Sequence, residues 1–183
     1  MRDVQDRDAR ETSLATAGRL HRLLVDTGRT VACAESLTGG ALADLLSVTP
    51  GASVSFRGGV VAYATDVKTA LLGVSADTIA AHGAVSAECA AQMARGVRRL
   101  LGASVAVSTT GVAGPDAQEG KPVGTVFIGV WAGEEPGEIT TYQLSLTGDR
   151  PAIRAATCRA ALSRLVELVG LGASPEGEVF PVE

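Results

Sequence analysis

Aromatic residues make up only 3% of this 183-residue chain, and the charge balance is mildly acidic, −4 from 16 basic and 20 acidic side chains. Both scarcities argue against a nucleic-acid partner, which needs a basic stripe for its phosphates and rings on which its bases can stack. An acidic small molecule stays open, because a phosphate answers to a few local donors more than to net charge. Cysteine is also scarce. Cys33, Cys89 and Cys158 form no CxxC pair, and their odd number argues against a disulfide framework, so they read as small buried apolar residues. The two histidines, His21 and His82, belong to no HxxxH or HxE pattern that holds zinc, and His21 is expected on a helix surface. No metal and no cofactor is expected. No apolar run approaches the length of a membrane span, and residues 1–11 are charged, without the apolar core of an export signal. The expectation is a cytoplasmic protein with no membrane partner.

What the chain does have is apolar material for one core: 46% hydrophobic residues, in a length that buries about 70% of its unfolded surface. A first helix is expected from Thr12 or Ser13, with Leu14, Ala17, Leu20, Leu24 and Val25 as its apolar stripe and Gly28 as its stop. Thr30 to Ala34 reads as a buried strand, Glu35 to Gly40 as a tight turn, and Ala41 to Leu46 as a helix. Phe56 to Ala64 reads as a glycine-marked strand, followed by short helices at Val67 to Leu72 and Asp77 to Ala81. Ser86 is expected to cap a longer helix through Met93, Val97 and Leu100, with a strand at Ala103 to Thr109 beyond it. Thr125 to Trp131 and Ile139 to Leu146 read as a hairpin around Gly133 to Gly137. Asp149 then caps a last helix that Gly170 stops.

This order predicts an α/β fold, a three-layer α/β/α sandwich with a mixed β-sheet. One domain is expected over 12–170, with flexible tails at 1–11 and 171–183. In open sheets of this kind ligands gather at the carboxyl ends of strands, where Ser36, Tyr63 and Thr110 would be delivered.

Three segments can carry chemistry. Ser36 stands between a strand end and a helix start, where backbone amides and the positive helix end can stabilise an oxyanion; equally, it can be a plain helix cap. Lys68 is the candidate base for it. Bringing a lysine to neutrality needs a shift of roughly three units, about 4 kcal/mol, which partial burial can supply; the alternative is an exposed lysine beside Asp66. The loop from Thr110 through Gly111 and Gly114 to Thr125 offers hydroxyls and amides and reads either as an anion cradle or as a long ordered turn. It is not a P-loop, because Lys121 is followed by Pro122. Arg150 adds a guanidinium that either grips a phosphate or carboxylate or lies on the surface.

The set Glu35-Ser36-x-Thr38-Gly39-Gly40, Gly58-Gly59-Val60-Val61-x-Tyr63, Lys68, Gly83-Ala84-Val85-Ser86, Thr110-Gly111-x-Ala113-Gly114-Pro115, Lys121-Pro122-Val123-Gly124-Thr125 and Gly148-Asp149-Arg150 resembles, in order and spacing, the CinA C-terminal domain family. Members of that family include nicotinamide-nucleotide amidohydrolases, which convert nicotinamide mononucleotide to nicotinic acid mononucleotide and ammonia. The resemblance implies Ser36 as nucleophile and Lys68 as its base. It implies a small-molecule nucleotide substrate held by Tyr63, Thr110 and Arg150, with Thr38, Gly39, Gly40, Gly111 and Gly114 completing the contacts, and a homodimer. Two alternatives stand beside it: a nucleotide- or partner-binding protein without turnover, and an amidohydrolase with another substrate. Three departures bear on these. Leu37 stands where the family usually has cysteine, Ala64-Thr65-Asp66-Val67 where Ser-Asn-Glu-Ala is common, and the loop Asp116 to Gly120 lacks a frequent Gly-Gly.

Overall fold

The computed structural model describes residues 2–132, 139–171 and 178–180. Six strands form one sheet in the order β2-β1-β3-β4-β5-β6. Strands β1 (Val31–Glu35), β2 (Phe56–Val61) and β3 (Val105–Gly111) run parallel, and β4 (Thr125–Trp131), β5 (Ile139–Ser145) and β6 (Glu178–Phe180) continue antiparallel. The sheet is therefore mixed. Its helices are α1 (Arg2–Asp26), α2 (Ala41–Ser47), α3 (Thr65–Leu72), α4 (Ala76–His82), α5 (Ala87–Leu101) and α6 (Arg150–Leu171). Helices α1, α2 and α6 cover one face, α3, α4 and α5 the other, which is the three-layer sandwich expected.

The alternation of β1 divides the two cores. Val31 and Cys33 point into a cluster with Leu20, Leu24, Leu46 and Leu162, while Ala32 and Ala34 meet Leu72, Met93, Val97 and Trp131 on the other side. All three cysteines are buried, as expected of small apolar residues. Glycine matters where α3 lies on α5: a β-carbon at Gly96 would collide with the carbonyl of Leu72, so only glycine permits the approach. No helix among the described residues is long and apolar enough to cross a membrane.

Several boundaries differ from expectation. Helix α1 begins at Arg2, so 2–11 is helix, not a tail. These residues carry no apolar stripe, so periodicity gave no cue, and Arg10 pairs with Asp44 on α2 at 2.7 Å. Leu14, Ala17, Leu20 and Leu24 of the expected α1 stripe pack in the core, and two further residues of the helix differ from expectation. Val25 is half exposed, and His21 is buried between Ser55 and Leu46. A carbonyl can only accept, so Nε2 donates to Leu46 O at 2.8 Å, and Nδ1 accepts from the Ser55 hydroxyl at 2.5 Å. Leu100, near the end of α5, is exposed. Helix α6 runs through Gly170, and Glu178–Phe180 pair with β5 where a tail was expected. The hairpin of β4 and β5 forms as read; its connection, 133–138, and the rest of the expected tail, 172–177 and 181–183, lie outside the described residues.

Candidate active site

The register of the parallel strands sets Glu35 level with Val61 on one side and Thr109 on the other. The three strands thus end in one row. The chain leaves β1 through α2 to reach β2, then crosses to the opposite face through α3 to α5 before returning as β3 on the far side of β1. That reversal opens a crevice at the carboxyl end of β1. Ser36 is the first residue beyond that end, and its amide donates to Thr109 O at 2.9 Å, pinning the turn to β3.

Lys68 reaches the same point from α3. It is 2% exposed, and its Nζ lies 3.0 Å from Ser36 Oγ, 2.8 Å from Ala62 O and 3.1 Å from Tyr63 O. Two of these neighbours are carbonyls, which take two N–H donors. In the uncharged amine this leaves a lone pair for the third neighbour, the hydroxyl proton of Ser36. Burial pulls the lysine below its ordinary value of 10.5, while Cys89 and Glu119 oppose that shift. The exposed-lysine alternative is therefore set aside.

A cavity of about 320 Å³ opens beside this pair. Tyr63, Thr110, Gly111, Gly114 and Arg150 all line it. Asp149 caps α6 through the amide of Ala152 at 3.1 Å, and Arg150 follows at the helix start. Its guanidinium donates to Gly114 O at 2.8 Å and to the Tyr63 hydroxyl, joining three segments across the cavity. Thr110 Oγ1 donates to Ala84 O at 2.6 Å, which leaves its lone pairs free to accept.

Thr38, Gly39 and Gly40 do not line this cavity. The Thr38 hydroxyl is fully buried against that of Thr109 at 2.8 Å. Gly39 N donates to Ser36 O, and Gly40 N to the Glu35 carboxylate. The sequence reading missed the role of Glu35 here. Wholly buried at the end of β1, it accepts from the amides of Gly40, Leu42 and Ala43 at 2.9, 3.1 and 2.8 Å. It thereby occupies the positive end of α2, the site expected to serve an oxyanion. Among the turn's amides, Leu37 and Thr38 have no hydrogen-bond partner among the described residues, and Leu37 lines the cavity. An acidic residue at the end of a buried strand, with a helix start six residues later, was the available signal. Arg154, also missed, donates to Thr38 O at 2.6 Å and holds the turn from α6.

The departures noted in the sequence fall at distinct places. The Leu37 side chain is buried in the core of the α1, α2 and α6 face. Ala64 is the N-cap of α3 and supplies no side-chain cap.

Relatives share this arrangement of chain. A CinA-like protein of Frankia casuarinae is 56% identical over 132 residues, 72% of this chain and 30% of the relative. A CinA-like protein of Thermotoga maritima is 48% identical over 145 residues, 79% and 35% respectively. The chain thus spans about a third of the length of these curated relatives. A solved CinA superfamily protein of Klebsiella pneumoniae superposes with a TM-score of 0.81 at 34% identity, covering 86% of this chain and 98% of that one. A competence damage-inducible protein of the same species gives 0.83 at 32% identity, covering 88% and 99%. Residues 13–169 match the model of the CinA C-terminal domain, and on these findings the chain belongs to the CinA C-terminal domain family.

Proposed function

We propose that the chain is an amidohydrolase that converts nicotinamide mononucleotide and water to nicotinic acid mononucleotide and ammonia. The observation that carries this reading is the buried Lys68 Nζ, 3.0 Å from Ser36 Oγ at the wall of a cavity that Arg150 also lines. Uncharged Lys68 takes the Ser36 proton as Oγ bonds to the carboxamide carbon, and the oxyanion is met by the Leu37 amide. Lys68 then gives its proton to the departing nitrogen. The C–N bond breaks, ammonia leaves, and an ester joins the acyl group to Ser36. Water, losing a proton to Lys68, attacks that ester; the bond to Oγ breaks, Lys68 returns the proton to Oγ, and the carboxylic acid leaves with Ser36 and the uncharged amine restored. The positively charged pyridinium ring draws electrons from the carboxamide, which makes it more open to attack than a peptide bond.

The test is ammonia release from nicotinamide mononucleotide, the riboside and free nicotinamide. The mononucleotide should be hydrolysed most efficiently, because Arg150 retains donors for a phosphate beyond the two it spends on Gly114 and Tyr63. Arg150→Met is expected to raise KM for the mononucleotide by about 10- to 100-fold, the loss of a charge-assisted hydrogen bond, and to leave the riboside little changed. Equal losses on both substrates would remove Arg150 from phosphate recognition. No ammonia from any of the three would end the hydrolytic reading, and thermal stabilisation by the mononucleotide alone would leave a binding protein.

A further inference from the structure

The loop between β3 and β4 folds back on itself as a two-residue hairpin. Gln118 and Lys121 exchange both backbone hydrogen bonds, at 3.1 and 2.9 Å, and the two residues between them, Glu119 and Gly120, have φ of 52° and 71°. Such a turn favours Asn-Gly or Gly-Gly, and Glu119 is the only non-glycine residue with positive φ among the described residues. A side chain that its backbone disfavours needs a compensating contact. Glu119 has one: its carboxylate accepts from the consecutive amides of Ala84 and Val85, at 3.2 and 3.0 Å.

The receiving segment is shaped for that carboxylate. Gly83 also has positive φ, 80°, and a β-carbon there would collide with the Glu119 carboxylate. On one side of this contact Ala84 and Val85 line the cavity, and on the other Asp116, Ala117 and Gln118 do. Glu119 itself stays behind the wall. Lys121 Nζ adds a longer bond to His82 O at 3.4 Å, tying the other arm of the hairpin to the same segment.

We infer that Glu119 is a positioning residue, a latch that fixes the Asp116 to Gln118 wall against Ala84 and Val85 and so sets the width of the substrate cavity opposite Ser36. The latch acts on substrate fit and leaves the Ser36 and Lys68 contact untouched. Its kinetic form rests on the hydrolytic reading proposed above; its structural form does not.

Glu119→Gly separates the latch from the turn, because glycine suits the left-handed backbone and the hairpin should persist. The full chain is compared with this variant and with Glu119→Gln, which keeps one acceptor oxygen, for ammonia release from nicotinamide mononucleotide and for amide exchange at Ala84 and Val85. Because the Glu119 charge also holds the Lys68 pKa up, the chains are compared at a pH where turnover has levelled off. There Glu119→Gly is expected to raise KM about tenfold with kcat within about twofold, and to speed exchange at both amides by about tenfold. Glu119→Gln should fall between it and the wild type. A residue that mattered only for the turn would make Glu119→Gly neutral. Wild-type KM, or unchanged exchange at positions 84 and 85, overturns the proposal. Should the wild type release no ammonia, the hydrolytic reading fails by itself, and the exchange rates still decide the latch.

Discussion

In the proposed reaction Ser36→Ala and Lys68→Met are each expected to lower kcat for ammonia release by about 10³-fold or more, since one deletes the proposed attacking oxygen and the other its proposed base. Lys68→Arg should fail equally, because a guanidinium keeps its proton at any accessible pH. The double variant should be scarcely slower than either single one if the two groups act as a unit. Turnover also carries a signature of pH. The proposed reaction uses the uncharged amine, and burial lowers the lysine from 10.5, so kcat/KM should rise with pH along a limb centred below 10.5 and then level off. Stability follows the same group. Between the lowered pKa and 10.5 the unfolded chain holds the proton and the folded one does not, so this group's contribution to stability rises with pH across that window. Below the lowered pKa its penalty is fully present. A limb at or above 10.5, or Ser36→Ala with wild-type turnover, would remove the covalent scheme.

Glu35→Ala is expected to cost the fold on the order of 4 kcal/mol, read as a shifted urea midpoint with an unchanged slope. Three amides lose a charged acceptor at once, two of them on residues of α2 and one on Gly40 in the turn that presents Ser36. A hydrogen bond to a charged group contributes about 1.5–3 kcal/mol, and the three are not additive, because water can enter the space left by the shortened side chain. The loss is a large part of the roughly 5–15 kcal/mol that holds a domain folded. Glu35→Gln, with one acceptor oxygen and an NH₂ facing an amide donor, should lose about half as much. Activity should fall in both, because the amides of Leu37 and Thr38 belong to the same turn. A cost below about 1 kcal/mol for Glu35→Ala would mean that the turn holds its shape without its carboxylate.

Much of this was open to reading from residue types. Ser86 before Ala87 and Asp149 before Pro151 announced two helix starts, and both side chains accept the expected amides. The valine-rich segments alternate or run apolar as strands should, and of the five segments that line the cavity the turn after β1, the loop after β3 and the start of α6 were each marked by glycine near a hydroxyl or a basic residue. What escaped were polar residues whose partners lie far along the chain. His21 meets Ser55 and Leu46, Glu119 meets Ala84 and Val85, and Arg154 meets Thr38 across 116 positions. Periodicity speaks of apolar faces and is silent on such pairs. Glu35 shows the converse: its partners are near in sequence, but a glutamate within a buried strand reads as a strand end until its amides are seen. The first ten residues of α1 show a third case, a helical extension that carries no apolar stripe.

The depth at which Lys68 lies is settled from the rear of the molecule. Because α3 rests on α5 at a position where nothing larger than hydrogen fits, any side chain introduced at Gly96 must lift Leu72 and the helix that bears the amine. Drift at that buried spot would retune basicity without touching a single group that meets substrate. Basicity and packing are joined in this one layer, and a search for altered reactivity has reason to begin where α3 meets α5.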